Sequence, residues 1–197
     1  MINIDEQRAA LNQICEEMLL LCQKQFENAY ETFTTFDTDL AEDIILKETR
    51  INALDLKIER DTDQFIALYN PVATDLRFAL SVLKINYNLE RIGDQAFDIA
   101  NHTIDLNQKL TSQVVNSLQF KEMFETLDSM FKDVVTAFRD ENIKSARKVF
   151  KKDKIINKIN TNAFEIVAED ALKNPELIRQ YLMALVVMKK FEKIGDL

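Results

Sequence analysis

The chain of 197 residues contains only two glycines and two prolines, and this scarcity constrains the fold more than any other feature of the sequence. Tight turns depend heavily on these residue types, because glycine supplies positive φ angles and proline fixes φ near the value that a turn needs. Folds that connect many short strands by tight turns are therefore disfavoured. The sequence predicts long helices and few turns.

Both glycines lie in two copies of one six-residue motif, which we call the hexapeptide. Residues 89–94 read Leu-Glu-Arg-Ile-Gly-Asp, and residues 191–196 read Phe-Glu-Lys-Ile-Gly-Asp. Pro71 and Pro175 each follow an asparagine and precede the glutamate of a hexapeptide by 19 and 17 residues. Asparagine followed by proline is typical of a helix start, so we expect both asparagines to be N-caps. The matched order predicts an internal repeat of about 102–105 residues.

Apolar residues recur at spacings of three and four through the chain, which is typical of antiparallel bundle packing. The clearest run consists of Val82, Ile85, Leu89, Ile92, Ala96 and Ile99. We predict an all-α fold, a tandem repeat of two antiparallel three-helix bundles with six long helices, over residues 1–108 and 109–197. The expected helices cover about residues 5–33, 39–69 and 71–106 in the first repeat and about 114–138, 140–172 and 175–197 in the second, with a linker at 107–113 and Asp140 as a cap. The last helix is expected to be cut short, because no helix-stop signal follows Asp196.

The charge of the chain is negative and uneven. The formal net charge of −8 argues against nucleic-acid binding, which needs a basic surface. Residues 1–108 contain 9 Lys and Arg against 20 Asp and Glu, whereas residues 109–197 contain 16 against 13. Two explanations of this asymmetry are open: the charged residues form solvated helix faces, or they form an acidic face that meets cations or a basic partner.

The cysteines and the apolar runs predict a cytoplasmic protein. Cys15 and Cys22 lie in one helical run, about 10 Å apart along its axis, which is too far for a mutual disulfide. They are expected to be core residues in a reducing cell interior. No signal-peptide pattern opens the chain, and the longest apolar run, residues 182–188, is too short to span a bilayer.

The hexapeptides place two acids on one helix face. Glu90 and Asp94 are four residues apart beside the apolar seam, and like charges at this spacing destabilise a helix by a few tenths of a kcal/mol. A pair repeated in both halves suggests a compensating cation. The preceding helix of each repeat supplies a second oxygen-bearing pair, and antiparallel packing lets the two pairs face each other. Such oxygen donors suit Mg²⁺, Mn²⁺ or Fe. The predicted ligands are Glu48, Asn52, Glu90 and Asp94 in the first repeat and Asp153, Asn157, Glu192 and Asp196 in the second.

Basic side chains offer an alternative to a metal ion. Arg77, Lys84 and Arg91 are spaced by seven residues and could neutralise the acids of the first hexapeptide. The full set of possible charge partners is Arg77, Arg91, Arg179 and Lys193. A metal site and a solvated, ion-paired helix face are both open interpretations, and under either one the glycines permit a close approach of helices.

Several segments of the sequence are similar to those of a known family. Asn-Pro-Val-Ala-Thr-Asp-Leu-Arg at residues 70–77, Leu-Lys-Ile at 83–85 and the first hexapeptide resemble the signature of the PhoU family, regulators of phosphate transport systems. The copy in the second half is looser, with Leu177 where the first has Asp75. The resemblance covers nearly the whole chain and implies two tandem three-helix bundles.

The resemblance also implies metal binding and a regulatory role. Family members hold multinuclear clusters of iron, zinc, manganese or magnesium through paired acidic motifs. By position, the implied ligands are Glu90, Asp94, Glu192 and Asp196, facing Glu48 and Asp153. The sequence departs from the family at Asn52 and Asn157, where aspartate is more frequent. Each asparagine removes one negative charge and keeps an amide oxygen.

The role implied by the resemblance is negative regulation of phosphate uptake and of phosphate-starvation signalling. Such proteins restrain the phosphate ABC transporter, through its ATPase, and the sensor histidine kinase by protein contacts. They act peripherally at the inner membrane surface, commonly dimerise and are not enzymes.

The residues also bear on enzymatic function, nucleotide binding and a purely structural role. A carboxylate-bridged di-metal oxidase of the ferritin type normally uses two Glu-x-x-His helices, whereas the only histidine, His102, follows Ile99 rather than glutamate at that spacing. Nucleophilic catalysis needs a Ser or Cys placed with a histidine and an acid, and the sequence offers none. It also contains no glycine-rich phosphate loop, so nucleotide binding is unsupported. A metal-free helical scaffold stays open as an alternative.

Overall fold

A computed structural model describes residues 4–197. Within this range the chain forms α-helices and no strand. The helices are α1 (Ile4–Thr35), α2 (Thr38–Tyr69), α3 (Ala73–Leu106), α4 (Ser112–Ser117), α5 (Phe120–Arg139), α6 (Ile143–Lys173) and α7 (Ile178–Asp196), and a single 3-10 turn, Pro175–Leu177, joins α6 to α7. The predicted all-α bundle fold is confirmed. None of the helices in this range is long and apolar enough to cross a membrane.

The residue predicted to be the N-cap of α3 was wrong. Asn70 does not begin α3 but ends α2, with a left-handed φ of 45° and its N–H donating to the Ile66 carbonyl at 3.1 Å. A residue before proline is disfavoured in the right-handed α region, and asparagine tolerates the left-handed one. Val72 precedes α3 in an extended conformation, with no side-chain cap.

The second half contains one more break than expected. Gln119, at φ 55°, separates the short α4 from α5, so the helix predicted at 114–138 is divided. The break allows Val114, Leu118 and Phe120 all to be buried, and glutamine gives no sequence signal for it. Asn142, not Asp140, caps α6, and its side chain accepts hydrogen bonds from two backbone N–H groups at 3.0 and 3.2 Å. 

The two halves share one buried core. Helices α1–α3 pack on one another, and α1 also contacts α5 while α3 contacts α7. Phe26 of α1 lies at the centre of this junction. Its ring centroid is 5.3 and 5.2 Å from those of Phe124 and Phe131 of α5 and 5.8 Å from that of Phe191 of α7. Helices α1–α3 fall in residues 1–108 and α4–α7 in 109–197, and the division into two domains stays a prediction.

Gly93 brings α3 close to α2. A Cβ atom at this position would lie 2.7 and 3.0 Å from the Cδ1 and Cγ2 atoms of Ile51, which is fully buried, and 3.3 Å from Oε2 of Glu48. At Gly195 the nearest atom to such a Cβ would be Cδ2 of Leu127, at 3.2 Å. The first glycine is therefore needed for the helix approach, and the second leaves more room.

Gly93→Ala is expected to destabilise the protein, whereas Gly195→Ala is expected to be close to neutral. Overpacking against Ile51 costs about 1–3 kcal/mol, and the better helix propensity of alanine returns about 1 kcal/mol. Urea denaturation followed by circular dichroism measures both free energies of unfolding. Equal stability of the two variants would contradict the close approach at Gly93.

Candidate metal site

The register of α2 against α3 brings the predicted residues of the first repeat together. Asn86 of α3 donates its amide to the backbone oxygen and to Oδ1 of Asp55 of α2, at 3.1 and 2.7 Å. Gly93 lies against Glu48 farther along the same antiparallel pair. This register places Asn52 opposite Glu90. The predicted convergence of the two pairs is therefore present in the packing of α2 on α3.

Glu48 is a buried carboxylate without a hydrogen-bond donor. Its residue is 8% exposed, and neither of its oxygens has a hydrogen-bond partner of normal geometry among residues 4–197. Burial, followed by the negative charges of Asp94 and Glu90, raises the pKa of Glu48 to about 7, although the nearby Asn52 amide lowers it in part. A buried charge is costly unless it is paired. Near neutral pH this carboxyl group therefore either holds a proton or faces a cation.

The two hexapeptide acids of the first repeat belong to the same electrostatic group. Burial raises the pKa of Glu90, and the negative charges of Asp94 and Asp55 raise it further. Burial and the charge of Asp98 likewise raise the pKa of Asp94, against the opposite effect of nearby basic side chains. Asp55 and Asp98 were missed as members of this group. Their positions, three residues after Asn52 and four after Asp94, are the helical spacing that would have indicated them.

The second repeat has a similar arrangement on α6 and α7. Oδ1 of Asp153 is buried without a hydrogen-bond partner, while Oδ2 accepts from the Asn157 amide at 3.0 Å. Burial raises the pKa of Asp196, and the charges of Glu192 and Asp153 raise it further. Asn160 is buried one turn after Asn157, with its side-chain oxygen unpartnered, and the sequence reasoning did not identify it. The four predicted residues of this repeat also lie near one another.

The predicted charge partners divide into two groups. Arg91 and Lys193 both lower the pKa of Asp94, so they lie close to the first acidic group. Arg77 and Arg179 are each 13 residues from the glutamate of their hexapeptide, about 20 Å along the helix. Arg179 donates to the Asp105 carbonyl at 3.1 Å instead. The structure thus brings two of the four basic residues to the acids.

Comparison with known proteins identifies the family. The sequence-family model of the PhoU domain matches the chain twice, over residues 15–103 and 120–197. The chain belongs to the PhoU family. A curated relative from Thermotoga maritima, the phosphate-specific transport system accessory protein PhoU homolog 1, is 26% identical over 99% of this chain and 84% of its own length. The PhoU homolog of Borreliella burgdorferi is 34% identical over 81% of this chain and 74% of its own length.

Solved PhoU structures have the same fold. The crystal structure of the phosphate transport system regulatory protein PhoU from Streptococcus pneumoniae matches with a TM-score of 0.84 and 26% identity, covering 98% of this chain and 90% of that one. PhoU from Pseudomonas aeruginosa matches with a TM-score of 0.90 at 23% identity, covering 98% and 92% of the two chains. The family resemblance and the fold predicted from the sequence are both confirmed.

The residues of this PhoU protein fit a hard cation. Among residues 4–197 no three Asp, Glu, His or Cys side chains are already arranged around one point as a ligand cage. However, both oxygens of Glu48 and Oδ1 of Asp153 are buried without a hydrogen-bond partner of normal geometry. Asp94 and Asp196 are exposed, and they lie near enough to Glu48 and Asp153, respectively, to interact with them electrostatically. Carboxylate and amide oxygens are ligands that Mg²⁺, Mn²⁺ and Fe accept. The first group is more anionic, because Asp55 occupies the position that Asn160 has in the second.

Proposed function

We propose that this protein is a metal-binding negative regulator of phosphate uptake and phosphate-starvation signalling. It acts by protein contact on the phosphate ABC transporter, through its ATPase, and on the sensor histidine kinase. The protein is a cytoplasmic homodimer that reaches the inner membrane surface only peripherally, and it is not an enzyme. Membership of the PhoU family and relatives named as accessory proteins of phosphate transport support this role.

The observation that carries metal binding is the buried, unpartnered carboxylate of Glu48 beside two further acids. Three carboxylates in one place repel each other, and a divalent or trivalent cation (Fe, Zn, Mn or Mg) relieves this repulsion. Glu48, Asn52, Glu90 and Asp94 would hold the cation of the first repeat, and Asp153, Asn157, Glu192 and Asp196 that of the second. A bound cation supplies positive charge that joins α2 to α3, and α6 to α7.

The alternatives have weaker support in the structure. For a di-metal oxidase, His102 would have to reach the acids, but it lies eight residues from Asp94, about 12 Å along α3. In a metal-free scaffold the buried, unpartnered Glu48 would have no stabilising role, and its replacement would be tolerated. This difference separates the scaffold from the metal-binding regulator.

The test uses one double substitution and a matched control. Glu90→Gln with Asp94→Asn is expected to remove the metal retained by the first repeat, measured by elemental analysis after loading with each metal and desalting. Glu59→Gln with Asp63→Asn changes an exposed pair on α2 with the same spacing and the same loss of charge, and it is expected to retain the wild-type metal content. Wild-type protein that retains no metal under any loading condition would contradict metal binding and favour the scaffold.

The same variants test the regulatory role. Deleting the gene is expected to switch on phosphate-starvation genes in phosphate-rich medium, measured by transcript levels. Complementation with the wild type and with the Glu59/Asp63 control is expected to restore repression, and complementation with the Glu90/Asp94 variant is not. Unchanged expression after deletion would contradict the role, whatever the metal content.

A further inference from the structure

A pocket of about 470 Å³ lies between α3 and α7, where the first repeat meets the second. Its volume is within the range of roughly 300–1,000 Å³ that small-molecule sites occupy. Four of its wall residues are basic and two are acidic. They are Arg91, Lys189, Lys190, Lys193, Glu192 and Asp196. This local excess of positive charge contrasts with the net charge of −8 of the whole chain.

The two copies of the hexapeptide contribute equivalent cations to this pocket. Arg91 is the third residue of the first copy and Lys193 is the third residue of the second, and both line the same space. Neither forms an ion pair with an acidic side chain within residues 4–197, although both lie near Asp94. The duplicated sequence thus places one cation from each repeat at the junction without neutralising it through a direct salt bridge.

Aromatic rings hold two of the cations in place. The Arg91 guanidinium carbon lies 5.3 Å from the ring centroid of Tyr87, and the Lys189 ammonium lies 5.6 Å from that of Phe164. Such cation–π contacts orient a cation without cancelling its charge. The other contacts are ion pairs: Lys189 with Glu192 at 3.4 Å, and Lys190 with Asp98 of α3.

The arrangement of cations selects the class of ligand. The guanidinium of Arg91 can bind two oxygens of one tetrahedral anion, and ammonium groups from α7 can bind the remaining oxygens as mobile point charges. With Glu192 and Asp196 also in the wall, the four basic and two acidic side chains leave an excess of two positive charges. Coulomb attraction to that excess grows with the charge of the anion, so a compact oxyanion with more than one charge is bound more strongly than a monoanion such as a carboxylate.

We propose that the pocket between α3 and α7 binds a phosphoryl oxyanion, either free orthophosphate or the terminal phosphate of a nucleotide. The site goes beyond the proposed metal-binding function and does not depend on it, because Arg91 and Lys193 are not metal ligands. The two sites share a wall through Glu192 and Asp196. An anion held by Arg91 of α3 and Lys193 of α7 bridges the two repeats.

The test is isothermal titration calorimetry at constant ionic strength in the presence of EDTA, with sodium phosphate and ATP as separate probes. Wild-type protein is expected to show one saturable site per chain. Arg91→Gln with Lys193→Gln is expected to weaken binding at least about tenfold, because each substitution removes a charge-assisted hydrogen bond. Lys144→Gln with Arg147→Gln, which removes two exposed cations of α6, is expected to leave the affinity unchanged.

The remaining arms distinguish the two sources of phosphate and test the location. Tighter binding of ATP than of orthophosphate identifies a nucleotide, and equal or weaker binding of ATP identifies free phosphate. The charge-conserving exchange Arg91→Lys with Lys193→Arg is expected to retain binding, and thermal melts check that every variant is folded. The proposal is overturned if neither probe gives saturable heat, or if the Arg91/Lys193 glutamine variant binds as tightly as the wild type. It is also overturned if phosphate binds only when EDTA is replaced by manganese and the Arg91/Lys193 glutamine variant then binds as tightly as the wild type.

Discussion

Glu48→Gln is expected to make the chelator-treated protein more stable at pH 8, by about 2 kcal/mol. The reason is the pKa of Glu48, which burial and neighbouring acids raise from an ordinary value of 4.5 to about 7. One pKa unit corresponds to about 1.4 kcal/mol, so the full shift corresponds to about 3–4 kcal/mol for ionising this carboxyl group in the folded protein, and solvent screening reduces this cost to about 2 kcal/mol. Glutamine has nearly the same shape and carries no charge, so it removes that cost.

The sign of the effect gives a characteristic pH dependence. Between about pH 4.5 and 7 the folded protein binds more protons at Glu48 than the unfolded chain does, so the stability of the wild type falls as the pH rises through this window. The variant lacks this contribution. Urea denaturation in EDTA is expected to give nearly equal free energies of unfolding at pH 4.5 and a difference that grows up to pH 8. Glu59→Gln, an exposed change on α2, is expected to follow the wild-type curve.

Adding metal is expected to reverse the order of the two proteins. A cation that binds only the folded state stabilises it by RT ln(1 + [M]/Kd), which is about 2.7 kcal/mol at a hundredfold excess over Kd. The wild type gains this at the first repeat, and the variant, which has lost a buried ligand there, gains less. Parallel pH curves in EDTA would show that Glu48 is already neutralised by another group. The absence of any reversal with manganese, iron, zinc or magnesium would count against the metal site.

The sequence allowed the fold class to be predicted because helix formation here is a local property. With two glycines and two prolines in 197 residues, few points of the chain can turn, and the apolar spacing of three and four indicates which face of each helix is buried. The helix ends were harder to predict, because several residue types are tolerated there. The break at Gln119 and the cap at Asn142 depend on which side chains become buried after packing.

The residues of the candidate site could be predicted from the sequence, but the extent to which each of them is buried could not. Spacing of four residues shows that Glu90 and Asp94 share a helix face. It does not show that Glu48 is buried to 8% exposure while Asp94 stays exposed. The depth of each residue depends on how closely α2 approaches α3, which Gly93 permits. The neighbours from α7, such as Lys193 beside Asp94, depend on how the repeats meet, and no short-range pattern encodes that contact.

Phe26→Ala is expected to lower the free energy of unfolding by about 3–5 kcal/mol, the range for removing a buried aromatic ring. Phe26 is completely buried, and its ring packs on Phe124, Phe131 and Phe191. These neighbours all belong to the second repeat, so the cavity would open between the repeats rather than within one of them. Calorimetry and urea denaturation measure the loss.

Phe164→Ala provides the matched control, because Phe164 is a half-exposed aromatic residue of α6. It is expected to change stability by less than about 1 kcal/mol. The wild type is expected to unfold in a single transition, since each repeat supplies part of the other's core. A loss below about 1 kcal/mol for Phe26→Ala, or two separate wild-type transitions, would show that the repeats are energetically independent. In a shared core, by contrast, an ion bound between α2 and α3 would also be expected to restrain α7, through the contacts that α1 and α3 make with the second repeat.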